Sequence, residues 1–263
     1  MSGFSADWLA LRESADLAAR SPAVLAACRA HFASREKIKV CDLGSGTGAA
    51  VPAFGPYLPG RQQWVLVDND PANLAEAERL RTSAGVCIQS LTADLAIDPA
   101  PWPEGCDLVT ATALFDLASP AWIERLCSRL AAARLPLLAT LTYDGKQGFS
   151  ASHSDDAAML AAFNRHQRLD KGLGGPAAGP DGAAVLAAAL EKQGYRITLG
   201  DSPWQLDGPR DNALIAELLR GWAAAVAAAG FVPQAEVDAW LATHVGRADG
   251  LSVGHTDVFA VPG

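Results

Sequence analysis

The chain has 263 residues, 50% of them apolar and 19% charged, with a formal net charge of −8. That is core enough for one large α/β domain and excludes global disorder, and the acidic balance weighs against a nucleic-acid backbone as the main partner. The five cysteines are widely spaced without a CxxC pair, which excludes a zinc ribbon or disulfide framework. With no signal-peptide pattern and no charge-free apolar run of roughly eighteen residues, a cytoplasmic chain without a membrane span is expected.

Residues 5–35 read as helix, with Ser21-Pro22 as a start signal: a capping hydroxyl before a proline at the first helical position. Asp70-Pro71 and Ser119-Pro120 repeat the device. Five apolar runs of strand length follow, at 37–42 (KIKVCD), 64–68 (WVLVD), 86–91 (VCIQSL), 107–112 (DLVTAT) and 136–142 (PLLATLT). Several lack polar alternation, as strands buried on both faces should. Helices predicted at 71–84 and 120–133 separate them, and this rhythm implies parallel strands with right-handed crossovers. Beyond 142 the pattern predicts a loop at 144–153, helix over 155–168, and loop through the five glycines and two prolines of 172–182. Helix over 181–193, a strand at 195–200, helices at 211–229 and 234–245, and an alternating strand at 252–261 complete the chain.

The most informative run is 40–48, VCDLGSGTG, where a strand ends and a glycine turn opens a helix. Glycine lets a ligand approach the backbone and permits positive φ, and the N–H groups beyond it face the ligand. Asp68 closes the second strand about twenty residues on, where a carboxylate accepts ribose hydroxyls. Gly44, Gly46 and Ala49 satisfy the nicotinamide-dinucleotide fingerprint, so an NAD(P)-dependent oxidoreductase is one reading. Asp42, Gly44, Gly46 and Gly48 satisfy a second pattern, acid-x-Gly-x-Gly-x-Gly. A carboxylate at Asp42 repels a pyrophosphate but suits a ligand carrying an ammonium and a sulfonium.

On these residues the chain resembles the class I S-adenosylmethionine-dependent methyltransferases, over roughly 36–142 and the late strands. The resemblance implies a Rossmann-like, doubly wound, mostly parallel seven-stranded sheet, whose last strand runs antiparallel beside the fifth. It implies S-adenosyl-L-methionine as cofactor, bound by Asp42, Gly44, Ser45, Gly46, Gly48, Asp68 and Asn69. It also implies that Asp94 holds the adenine amino group, that the Leu95 N–H meets the ring, and that the strand ending at Thr112 runs beneath the methionine part. One domain spans 1–263: helical extension 1–35, cofactor half 36–142, cap elements 143–182 and 201–250, and last strand 252–261. The long 201–250 insertion departs from the family's minimal pattern. The acceptor expected is a small molecule, and a non-catalytic S-adenosylmethionine-binding protein is a further reading.

Catalytic side chains are expected beyond the fourth and fifth strands and in the cap. Asp116 can position or deprotonate an acceptor, or simply cap a helix. Tyr143 follows the fifth strand, either bonding substrate or packing at a rim. His166, in the polar run NRHQRLDKG, titrates near neutrality; a solvated helix end explains that run as well. Arg12, one turn from Trp8, can close the cofactor pocket and meet the methionine carboxylate, though a surface arginine is the plainer expectation. Trp204 can stack on a planar acceptor or lie under the cap. The hydrolase-like Gly250-x-Ser252-x-Gly254 has His255 adjacent, but the elbow needs a helix after it and an acid and histidine further on, whereas the nine residues beyond Gly254 read as strand.

Overall fold

The structure, a computed structural model, describes residues 5–80, 82–247 and 249–263. The elements are α1 (Ala6–Ala18), α2 (Pro22–Phe32), β1 (Lys37–Leu43), α3 (Ala50–Phe54), β2 (Arg61–Asp68), α4 (Pro71–Ala77), β3 (Val86–Thr92), β4 (Leu108–Thr112) and α5 (Pro120–Ala133). Then come β5 (Leu137–Phe149), α6 (Asp156–Gln167), α7 (Gly182–Lys192), β6 (Tyr195–Asp201), β7 (Trp204–Leu206), α8 (Asn212–Ala229), α9 (Gln234–Arg247) and β8 (Leu251–Pro262).

Strand order is β3-β2-β1-β4-β5-β8-β6, parallel from β3 to β5, with β8 antiparallel to both β5 and β6. This is the doubly wound sheet the resemblance implies, with one addition: β7 pairs with the start of β8 and makes the sheet eight-stranded. Successive strand residues feed opposite cores, as a period of two demands. Cys41, Leu43, Val65 and Val67 face α5 and α7, while Ile38, Val40, Trp64 and Leu66 face α2, α3 and α4. A third core lies under the cap: α1, α6, α8 and α9 close on the far part of β5, on β7 and on the start of β8. Helix α8 is long and apolar enough to span a membrane by composition alone. Its apolar stripe, Leu214, Ile215, Leu218, Leu219, Trp222 and Val226, is buried in that core.

The structure corrects several boundaries. The helical region of 5–35 is two helices, the second starting at Pro22 as the start signal implies, but Ser21 makes no side-chain cap; its N–H instead donates to Asp257 at 2.9 Å. Asp70 and Ser119 do cap, accepting from Ala72 at 2.8 Å and Trp122 at 3.1 Å. Helix α4 ends at Ala77 rather than 84, because Gly85 (φ 94°) is held at the sheet edge, its carbonyl accepting the Gln62 N–H at 2.8 Å; residue 81 of the expected helix lies outside the described residues. The largest departure is β5, which runs on to Phe149 instead of becoming loop at 144. Bulges at 139–142 and 143–147 carry it through polar residues and keep it paired with β8, with Leu141 at φ 54°. Neither cap stretch is therefore free of strand. Residues 251–254 of the Gly-x-Ser-x-Gly run lie inside β8, with Gly250 just before it.

Candidate active site

Two adjoining cavities open where β1, β2, β3 and β4 end and beside the bulged middle of β5. The first, about 570 Å³, is lined by Asp42, Gly44, Ser45, Gly46, Asp68, Asn69, Asp94, Leu95, Thr112 and His166 among others. Every cofactor-binding residue singled out in the sequence is in that lining except Gly48. A Cβ on Gly48 would meet Leu80 at 2.8 Å and Leu66 at 3.1 Å, so its task is to let the loop sit against the sheet. Gly46, at φ 52°, lies under Leu9 of α1, 3.0 Å from where a Cβ would stand. The Asp68 carboxylate ties the loop down, accepting from the Gly46 N–H at 2.8 Å and the Asp70 N–H at 2.9 Å.

Asp42 is fully buried and accepts one hydrogen bond, from Thr110 Oγ1 at 2.6 Å. Burial pushes its carboxyl up to about 7; the Thr110 bond and the Arg20 charge pull the other way, while Asp68 adds to the rise. The Ser45 hydroxyl is buried without a partner. Asp16, Asp68 and Asp94 are also in the wall, against Arg12, which Asp16 pairs, and Lys171, so the cavity is acidic on balance, fits a ligand that brings positive charge and hydrogen-bond donors, and disfavours a dianionic pyrophosphate.

The second cavity, about 350 Å³, shares Arg12, Ala113, Leu117, Phe163 and Gln167 with the first. Asp116 and Tyr143 line it, whereas His166 lines only the first, so the three candidate catalytic residues are divided between the cavities. Asp116 is buried, and its Oδ1 has no hydrogen-bond partner. Burial pushes its carboxyl up to about 6, against the pull of its own and Tyr143's backbone N–H and of the Arg12 and Lys171 charges. The glycine loop before α7 holds it there: the Gly179 N–H donates to the Asp116 carbonyl at 3.0 Å, and the Ala178 N–H to Ala118 at 2.8 Å. The Tyr143 hydroxyl donates to Asn164 Oδ1 at 2.9 Å and accepts from Gln147 at 3.3 Å. His166 sits 3.4 Å from Lys171 Nζ; burial and that charge lower its pKa.

Arg12 is buried rather than on the surface. It makes a paired contact with Asp16 (2.8 and 3.1 Å), and its guanidinium lies 5.0 Å from the Trp204 ring centroid. Trp204 is buried at the second cavity, where its indole N–H donates to Asp16 at 3.1 Å. Ala113, which lines both cavities, and Leu141, which lines the second, are two of three described non-glycine residues at positive φ; such strain concentrates at functional sites. Asp16, Trp222 and His255 also line these cavities, and sequence reasoning did not select them. His255 adjoins the discarded Gly-x-Ser-x-Gly match, but the inward positions of the alternating last strand were the signal that reached it.

The sequence matches no protein-family profile and no curated protein. Among solved structures it is similar to the cyclopropane synthase MmaA2 of Mycobacterium tuberculosis, at 13% identity and TM-score 0.51, over 98% of this chain and 94% of that one. It is also similar to an S-adenosylmethionine-dependent methyltransferase from Thiobacillus denitrificans in complex with S-adenosyl-L-homocysteine, at 18% identity and TM-score 0.48, over 98% and 99% of the two chains. The first likeness, nearly end to end, shows a shared Rossmann-like fold.

Proposed function

We propose that the chain is an S-adenosylmethionine-dependent methyltransferase acting on a small molecule in the cytoplasm, without a nucleic-acid or membrane partner. The observation that carries this is the buried, singly hydrogen-bonded Asp42 beneath a positive-φ glycine loop, in a cavity that opens into a second one. The net charge of −8 and the cap over the second cavity favour an enclosed acceptor over a polymer.

The cofactor supplies an electrophilic methyl group on a sulfonium. The residues that would hold it are those the resemblance implies: Asp68 for the ribose hydroxyls, Asp94 and Leu95 for the adenine, the glycine loop and Asp42 for the amino-acid end. Arg12, held by Asp16 at the junction of the cavities, would meet the carboxylate. The protein's share of catalysis is then alignment and exclusion of water, which the cap performs. Asp116 Oδ1 is placed to hold the proton an acceptor loses, and a carboxyl near 6 is a competent base at neutral pH.

Calorimetric titration of the full chain with S-adenosylhomocysteine and with NAD tests the reading. Micromolar binding of the first and none of the second is expected. NAD binding with S-adenosylhomocysteine ignored overturns it. Binding without turnover on any metabolite pool returns the non-catalytic alternative.

A further inference from the structure

The second cavity narrows the acceptor, an inference that rests on the cofactor reading of the first. Its wall is largely aromatic: Trp8, Tyr143, Phe163, Trp204 and Trp222. Of the nine buried side-chain polar atoms without a partner among the described residues, three belong to its lining residues: Trp8 Nε1, Asp116 Oδ1 and His255 Nδ1. Buried orphans are rare and call for a missing partner. Here one is an obligate donor, one is a carboxylate oxygen, and one can serve either way by tautomer. Two ring groups of the wall are already used: the Tyr143 hydroxyl on Asn164 and Gln147, and the Trp204 N–H on Asp16; Gln167 and Glu217 also line it.

Charge selects further. Arg12 is the only Lys or Arg among the described lining residues, and Asp16 already pairs it, so an acidic acceptor finds no counter-ion and meets Asp116. A cationic acceptor would meet the Asp116 and Glu217 carboxylates, but it would also give up its hydration beside the Arg12 guanidinium and the rings of the same wall. His255 in that wall feels the same burial and the Arg12 and Arg20 charges, which lower its pKa to about 3. Rings on several sides with few polar atoms suit a flat, uncharged guest.

The mouth adds a separate observation. Gly221 lies mid-way along the alanine-rich α8 and lines the cavity, and a Cβ there would meet nothing within 4 Å. Glycine weakens a helix interior relative to alanine. Here it leaves open a space that any side chain would narrow.

We propose that this cavity is the acceptor site and takes an uncharged aromatic ring bearing an O–H or N–H, with Asp116 Oδ1 accepting that hydrogen bond and the Trp8 indole N–H donating to a second polar atom of the guest.

The test titrates the full chain with phenol, indole, toluene, benzoate and benzylamine at neutral pH, with and without S-adenosylhomocysteine, read by calorimetry and tryptophan fluorescence. Phenol or indole is expected to bind about tenfold more tightly than the other three. Asp116→Ala should remove that preference while leaving S-adenosylhomocysteine affinity within about twofold, since Asp116 is outside the first cavity's lining. Gly221→Leu should keep or raise the Tm yet abolish ring binding. Benzylamine or benzoate binding best, ring binding indifferent to Gly221→Leu, or no ring binding beside intact S-adenosylhomocysteine binding overturns this inference and leaves the cofactor reading standing. Ring binding without any S-adenosylhomocysteine binding overturns the cofactor reading instead.

Discussion

The first cavity is walled by backbone and carboxylates, the second by rings, and the contrast follows from how the chain builds each. Asp42, the glycine loop, Asp68 and Asp94 sit at the ends of successive parallel strands, so one side of the first cavity comes from a continuous stretch, while α1 (Leu9, Arg12, Asp16) and the cap (His166, Lys171) close the other. The second gathers Trp8, Asp116, Tyr143, Phe163, Trp204, Trp222 and His255 from α1, the loops, the cap and the last strand. One is a property of the fold; the other is a property of the insertions laid over it, where substrate choice can change without disturbing cofactor binding.

The sharpest way to break the contrast is Asp42→Asn. The amide keeps an acceptor for Thr110 but loses the charge, and S-adenosylhomocysteine affinity should fall about 100-fold by calorimetry. Stability should move the other way. Burial raises the Asp42 carboxyl from 3.8 to about 7, so its stabilising contribution is present below 3.8 and lost as pH rises through 7. The asparagine variant is therefore expected to melt higher than the parent at pH 8. An equal fall in Tm and affinity would make Asp42 a structural residue.

A pH titration sharpens the same point. Below 7 a ligand that needs Asp42 charged must first expel its proton, so parent affinity should drop about tenfold per pH unit toward pH 5. The asparagine variant should be flat over that range, and ring binding to the second cavity should not share the 7 transition. Next in size is Gly46→Ala, which forces an L side chain to φ 52° against Leu9; about a tenfold loss of S-adenosylhomocysteine affinity is expected, with ring affinity unchanged. The smallest effect is assigned to His166→Ala. His166 lines only the first cavity, beside Lys171, and a change within about twofold in phenol affinity is expected. A large loss there would merge the two cavities into one functional unit.

What the sequence revealed follows the same division. The glycine loop, Asp68 and Asp94 were legible because local chemistry at strand ends repeats a spacing that chain geometry imposes. Trp204 was legible as one of two readings, stacking on an acceptor or lying under the cap; Trp8 and Trp222 were not, because a lone aromatic at helical spacing reads first as core, and only the fold shows that several share one wall. Strand β5 was cut short on paper because Asp144, Gly145, Lys146 and Gln147 resemble a turn; pairing with β8 overrides that local preference, and the bulges absorb the mismatch. Arg12 looked like a surface residue because its partner Asp16 and its neighbour Trp204 are joined only in three dimensions.

Strand β8 is wedged between β5 and β6, so the sheet is sealed by residues 251–262 after every other strand has been laid down. A chain deprived of them would leave β5 and β6 as two raw ribbon margins with nothing to zip them, and such margins recruit strangers. Removal of that one stretch is thus expected to yield insoluble material rather than a weaker enzyme.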